Sequence, residues 1–306
     1  MPKQQENPSY KQSGVALISV MLVMFVAVVL AAQQMRQSAS AIKHVVARES
    51  QQQAYWYARA GEVLGRQALA ADWREDRQSS PGSVATDHYN EAWAKEFSSL
   101  GLEDGSVKLL ISDLQSRFNV NNLRAEDSSA AQASLKLIFQ ALSLSDAAYN
   151  ELRDSVLQQA WSATATLRTL KSLQPAQRRE LEPLLVALPA TDVAVNVNTA
   201  SEALLAALLG QRSSAAVRKI ISDRKRAPIV DLNGPSFSIY ASTSTKLVVN
   251  SEYFDIQTTA GFWQNSSYLS TKLHRSAKGE LMTLSRTHGK HAITHSLNSD
   301  HLVGRQ

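Results

Sequence analysis

Few residues in this chain have the types and spacing that chemistry needs. His288, His291 and His295 follow an H-x2-H-x3-H spacing that would set three imidazoles together on a helix, as a zinc site requires. Their surroundings, THGKHAITHSLNSDHLVGRQ, are polar and offer no apolar face, so residues 288–306 read as a flexible tail instead. Arg218, Lys219, Arg224, Lys225 and Arg226 have the charge to contact phosphates. Val217, Ile220 and Ile221 recur among them at helical spacing, and a solvated helix face over a core is the simpler account. Serine, histidine and aspartate all occur, but no nucleophile elbow or P-loop spacing does. With no cysteine, disulfides and thiolate nucleophiles or metal sites are excluded. Trp56, Trp73, Trp93, Trp161 and Trp263 are too scattered to mark a cofactor box. The chain is therefore expected not to be an enzyme, with no catalytic residues and no metal ligands to assign.

The strongest signal belongs to an element that positions the protein. Directly after Gly14, Val15 to Ala32 form an unbroken apolar run. Eighteen such residues make a helix of about 27 Å, against a bilayer core of about 30 Å. A secretory signal would have a shorter apolar core and a clear small-residue cleavage site; Leu30-Ala31-Ala32 passes only weakly for one. From Val15 to Ala60 there is neither glycine nor proline, so the membrane helix should continue into a soluble helical stalk. Ile42, Val46, Trp56, Ala60, Val63 and Leu64 mark an amphipathic face on that stalk, with Lys43, Arg48, Glu49 and glutamines between them. Ser79-Ser80-Pro81-Gly82-Ser83 reads as the loop that ends it.

The remainder reads as α+β: a long N-terminal transmembrane and stalk helix packed on a small antiparallel sheet, with an all-helical module inserted. A short helical piece is expected around Glu91 to Leu100, then a strand from Val107 to Leu114 with Val107, Leu109 and Ile111 on one face. Leu135, Ile138, Phe139 and Leu142 form one helical stripe, and Leu152 with Val156 a second. Leu181, Leu184, Leu185 and Leu188 suggest a third, broken near Pro183 and ended by Pro189. Thr199-Ala200-Ser201-Glu202 reads as a capping box opening a helix through Leu204, Leu205 and Leu208 to Gly210. Alternation returns in Lys246–Ala260, Tyr268–Leu273 and Leu281–Arg286. The expected segments are a leader over 1–14, a membrane helix over 15–32, and the stalk and first part of the sheet domain over 33–118. The helical insert then spans 119–228, the remaining sheet 229–287 and the tail 288–306. Thirty-two lysines and arginines against 27 acids leave a net charge of +5, too modest to imply a nucleic-acid habit.

Gly14 followed at once by the apolar helix resembles the leader of type IV pilin-like proteins. Glu91-Ala92-Trp93-Ala94, DLQSRFNVNNL from Asp113 to Leu123, VNVNTA from Val195 to Ala200 and Ser251-Glu252-Tyr253-Phe254 narrow the likeness to the general secretion pathway protein K family, the large minor pseudopilins of type II secretion. The resemblance implies a prepilin peptidase cut between Gly14 and Val15 on the cytoplasmic side and methylation of the new Val15 amine. It implies a single pass through the bacterial inner membrane and a large periplasmic domain. The implied partners are minor pseudopilins I and J, the other pseudopilins of the filament and the inner-membrane assembly platform, and the stalk face is expected to receive I and J.

Two departures from the pilin pattern matter. The fifth residue after Gly14, where most pilins carry a buried glutamate, is Ser19. A carboxylate at mid-membrane costs at least about 2.5 kcal/mol and is kept only for a function. Its absence suits a subunit with no earlier neighbour to recruit, and protein K is thought to sit at the pseudopilus tip, where it would initiate or cap assembly. The acidic, glycine-containing stretch usual in the helical module is also missing: Gln159-Ala160-Trp161 passes almost directly to Leu167-Arg168-Thr169-Leu170-Lys171. The family is associated with calcium, but these residues supply no ligand set for it.

Two other functions compete. Asn196 to Arg226 resembles helix-hairpin-helix units that bind DNA backbones in uptake systems, although Gly210-Gln211-Arg212-Ser213-Ser214 has a single glycine for close phosphate approach. A minor pilin of an adhesive pilus would share the anchor and stalk.

Overall fold

The computed structural model describes residues 12–79, 85–98, 104–208, 214–233 and 245–289. Helix α1 spans Gln12–Ser79, so it passes Gly61 and Gly65 and stops where the Ser-Pro-Gly loop was expected. Its residues fall into two compact units, one ending at Gln53 and one from Ala54 onward. In the first, the large apolar side chains from Val15 to Leu30 are all exposed. The window is the one span among the described residues that is long and apolar enough to cross a membrane, with mean hydropathy 3.0.

In the second unit, α1 from Ala54 packs on a five-stranded antiparallel sheet of order β1-β2-β7-β8-β9. Its strands are β1 (Phe97–Ser98), β2 (Gly105–Asp113), β7 (Tyr253–Phe262), β8 (Asn265–Arg275) and β9 (Leu281–Gly289). The helix meets the sheet through small residues. Ala54, Ala58, Gly61, Gly65 and Leu69 are buried. Thr258 Oγ1 donates to the Ala58 carbonyl at 2.9 Å, which pins a strand side chain to the helix backbone. A Cβ at Gly61 would lie 2.8 Å from Thr258 Cγ2 and 2.9 Å from Val107 Cγ1. Alanine improves helix propensity by about 1 kcal/mol, but the larger valine must be forced between two strands, which typically costs about 1–3 kcal/mol. Gly61→Val is therefore expected to lower the thermal midpoint; an unchanged or raised midpoint would show that the helix stands farther from the sheet.

Between β2 and β7 the chain builds a second core. Helices α2 (Ser129–Ala141), α3 (Asp146–Gln158), α4 (Pro175–Leu181), α5 (Glu202–Leu208) and α6 (Ser214–Arg226) lie in this stretch. Leu135, Ile138, Phe139, Leu152, Val156, Leu204, Leu205, Leu208, Val217 and Ile220 share one buried cluster, so the first two expected stripes and the α5 leucines face a common interior. Two short parallel pairs complete it: β3 (Phe118–Asn119) with β4 (Leu185–Val186), and β5 (Val195–Asn196) with β6 (Leu247–Val248).

Several expectations need correction. The third leucine stripe is not one helix: α4 ends at Leu181, a 3-10 turn covers Glu182–Leu184, and Leu185 enters β4. Pro183 supplies no amide to continue the helix, and the strand pairing with β3 takes over. The piece around Glu91 is a single 3-10 turn, Ala92–Ala94, followed by β1; Leu100 lies outside the described residues. The sheet runs to Gly289, so His288 belongs to β9 and not to a tail. Its Nε2 lies 3.0 Å from Ser267 Oγ, and its ring meets Tyr55 edge-on. His291 and His295 lie outside the described residues.

Candidate functional site

The N-terminal site begins inside α1. Gly14 and Val15 are helical, and Ser19 Oγ donates to the Val15 carbonyl at 2.8 Å. A serine that satisfies itself on its own helix leaves no polar group bare in an apolar span. The stalk residues divide. Ile42 and Val46 are exposed in the first unit, and Trp56, Ala60 and Val63 in the second. Leu64 departs from this face: it is half-buried and packs against the core of Leu69, Trp93, Ile111 and Phe254. The open face is thus Trp56, Ala60 and Val63, while the face turned to the sheet is the small-residue one. Tracking only large apolar residues misses that face, although Ala54, Ala58, Gly61 and Gly65 recur at helical spacing.

The four motifs that carry the family resemblance converge in three dimensions. Asp113, at the end of β2, is fully buried. Its Oδ2 accepts from Asn196 Nδ2 at 3.0 Å, Ser251 Oγ at 2.6 Å and Thr199 Oγ1, and its Oδ1 accepts from the Gln115 amide at 2.7 Å. Asn196 Nδ2 also donates to the Asp87 carbonyl at 2.9 Å. The other motif asparagines work as spare peptide groups. Asn121 donates to the carbonyls of Trp161 and Leu188 while its Oδ1 accepts from the Trp161 amide. Asn198 brackets Ile229 in the same way, giving to its carbonyl and accepting from its amide. Such side chains supply donor and acceptor together, which irregular buried backbone needs. Thr199 is consequently not the helix cap. Ser201 Oγ accepts from the Leu204 amide at 3.1 Å and caps α5, while the Thr199 hydroxyl is committed to Asp113.

Beside this network lies a buried acidic group. Arg275 on β8 donates to both oxygens of Asp87 at 2.6 Å and to Asp72 Oδ2 at 3.2 Å, and its guanidinium lies over the Phe254 ring. Glu91 Oε2 accepts from Trp93 Nε1 at 2.5 Å and from the His88 amide at 3.0 Å. Burial and the neighbouring Asp87 charge push Asp72 up to about 7. Burial and the Asp72 charge push Glu91 up to about 8. Burial pushes Asp113 up to about 6 against its hydrogen bonds. The three carboxylates Asp72, Asp87 and Glu91 come within 4.8 Å of one another. Calcium wants six to eight oxygens, and here one guanidinium already pairs with two of the three acids. The donor set does not fit that ion.

Carboxyls raised in the folded state hold protons the unfolded chain has released, so they stabilise most below their unfolded values and lose this as pH rises. Stability should therefore fall between about pH 4 and pH 8, through the windows of Asp113, Asp72 and Glu91 in turn. Urea unfolding across this range checks it. Glu91→Gln should flatten the upper part; a wild-type midpoint that rises toward pH 8 would contradict the assignment.

The basic helix is partly committed to structure. Arg224 donates to the carbonyls of Val197 and Ala200 at 2.6 and 2.7 Å, and Lys219 pairs with Asp223 at 2.7 Å. Val217 and Ile220 are buried. Gly210 to Ser213 lie outside the described residues.

Comparison with known proteins agrees with this arrangement. A family model, "Type II secretion system (T2SS), protein K", matches residues 195–249, the segment holding Asn196, Asn198, Thr199 and α6. Type II secretion system protein K of Pseudomonas aeruginosa is 26% identical over 318 residues, covering 91% of this chain and 93% of its own length. The chain is thus similar to type II secretion protein K along nearly its whole length. The Klebsiella pneumoniae member is 29% identical over 238 residues, 65% of this chain and 71% of that one. The fold is shared with a chain in the crystal structure of the GspK-GspI-GspJ complex from enterotoxigenic Escherichia coli. That likeness has a TM-score of 0.66 at 18% identity, over 81% of this chain and 100% of the other. In this chain the convergent motifs brace the sheet against the helical insert.

Proposed function

We propose that this chain is a minor pseudopilin acting at the tip of the type II secretion pseudopilus. The observation that carries the reading is its likeness to protein K over 91% of the chain. The apolar helix holds the protein in the inner membrane, with the sheet domain and its insert in the periplasm. A prepilin peptidase cuts between Gly14 and Val15 and methylates Val15. The helix then leaves the bilayer by packing against helices of neighbouring subunits. Its fully exposed apolar surface needs either lipid or such helices around it. Ser19 in place of a glutamate suits the first subunit of a filament, and the helical insert adds bulk that hinders a further subunit above it.

The named partners are minor pseudopilins I and J, which share a crystal with the fold relative's chain. Trp56, Ala60 and Val63 in the second unit form the face offered to them, and the exposed Ile42 and Val46 are offered separately in the first. Co-expression of the full chain with I and J, followed by purification in detergent through a tag on this chain, should recover all three. Recovery of the tagged chain alone would overturn the partner assignment.

A further inference from the structure

Glu62, on the second-unit part of α1, is 2% exposed and holds three arginines at once. Its Oε2 accepts from Arg59 Nη1 at 2.5 Å and Arg286 Nε at 3.0 Å. Its Oε1 accepts from Arg66 Nε at 3.1 Å and Arg286 Nη2 at 2.8 Å. Arg66 reaches on to β9, donating to the Leu281 carbonyl at 3.3 Å and to Thr283 Oγ1. Burial alone would raise the Glu62 carboxyl, but hydrogen bonds from Arg286 and Arg66 and the charge of Arg59 outweigh it and hold it at about 2. The acid is thus always ionised at physiological pH, and four donated hydrogen bonds fill the sites a carboxylate offers.

One negative charge here faces three positive ones. Among the described residues Glu62 is the only carboxylate within ion-pair distance of Arg59, Arg66 or Arg286. Two positive charges remain unanswered, on side chains 31%, 24% and 36% exposed. Trp56, Arg59, Val63 and Arg66 also follow one another at spacings of three and four, so apolar and cationic side chains alternate along one face of the helix. Trp56 and Val63 on that stripe are 55% and 49% exposed. Arg286 borders it from β9, the edge strand of the sheet. Tryptophan and arginine are the residues that most often dominate association energy, and a guanidinium fork matches a carboxylate.

We propose that the Trp56–Arg59–Val63–Arg66 stripe, with Arg286 beside it, seats a helix of a neighbouring pilin-like subunit that alternates acidic and apolar side chains. The arginines take its carboxylates, and Trp56 and Val63 take its apolar residues. This rests on the pseudopilin reading and deepens it by assigning the contact surface and its chemistry.

The test titrates the full-length chain in detergent with labelled full-length companion I or J at low and high salt. Arg59→Glu should weaken the affinity by about tenfold or more and remove much of its salt dependence. Trp56→Ala should weaken it comparably at both salts. Arg59→Gln serves if the reversal unfolds the protein, because Glu62 keeps Arg66 and Arg286. Lys225→Glu on α6 should bind as wild type does. Wild-type affinity in both Arg59→Gln and Trp56→Ala would overturn this surface while leaving the pseudopilin reading intact. A wild-type chain that binds neither companion at either salt would overturn the reading itself, and the surface with it.

Discussion

Asp113→Ala is expected to lower unfolding stability by at least about 3 kcal/mol, because each buried donor left without an acceptor costs about 1–3 kcal/mol. The substitution strands the Gln115 amide and the hydroxyls of Thr199 and Ser251, while Asn196 Nδ2 keeps the Asp87 carbonyl and Ser251 Oγ. Those three groups come from the 3-10 turn after β2, the entry to α5 and the segment just before β7. The loss therefore falls on the seam between sheet and insert. Domains are stable by only about 5–15 kcal/mol, so this is a large share of the total. Relaxation and entering water would recover part of it. Asp113→Asn, which keeps the volume and one acceptor, should cost clearly less than the alanine. Urea denaturation gives both values. An alanine variant within about 1 kcal/mol of wild type would mean that water already serves these donors.

The second large effect lies at the other end of the chain. Gly14→Val should abolish processing, so the chain recovered from membranes keeps residues 1–14 and an unmethylated start. Glycine lets a peptide approach a catalytic centre with no Cβ in the way, and valine adds branched bulk beside the bond to be cut. Intact-mass measurement on membranes containing a prepilin peptidase separates the outcomes. Wild type should be shorter by the fourteen-residue leader and carry one added methyl group. A wild-type chain of full mass in the presence of an active peptidase would remove the leader assignment altogether.

What could be read from sequence was set by how local the physics is. The span of α1 was legible because an apolar run starts it, nothing breaks it before Gly61, and Pro81 follows its end at Ser79. β2 and β8 were legible because alternation marks a strand with one buried face, whereas most of β7 is buried on both faces and β9 is exposed along most of its length. Thr199 was misread because two hydroxyls stand two residues apart, and local rules cannot choose between them. A carboxylate far away in sequence, Asp113, chooses. The leucines around Pro183 were misread because their spacing suits a helix, whereas the pairing of Leu185 with Phe118 makes a strand. The acidic group had no local signature: Asp72 comes from α1, Asp87 and Glu91 from the segment before β1, and Arg275 from the far end of β8. The motifs were recognisable as a family pattern, but their purpose became visible only when the fold brought Asp113, Asn196 and Ser251 together.

The central claim is that this chain belongs to the working type II secretion filament. The most direct measurement is the distribution of secreted folded enzymes in a strain lacking the chain, with and without the wild-type copy restored. The account predicts that without it these enzymes accumulate in the periplasm and that the restored copy returns them to the medium. Equal amounts in the medium with and without the chain would contradict it.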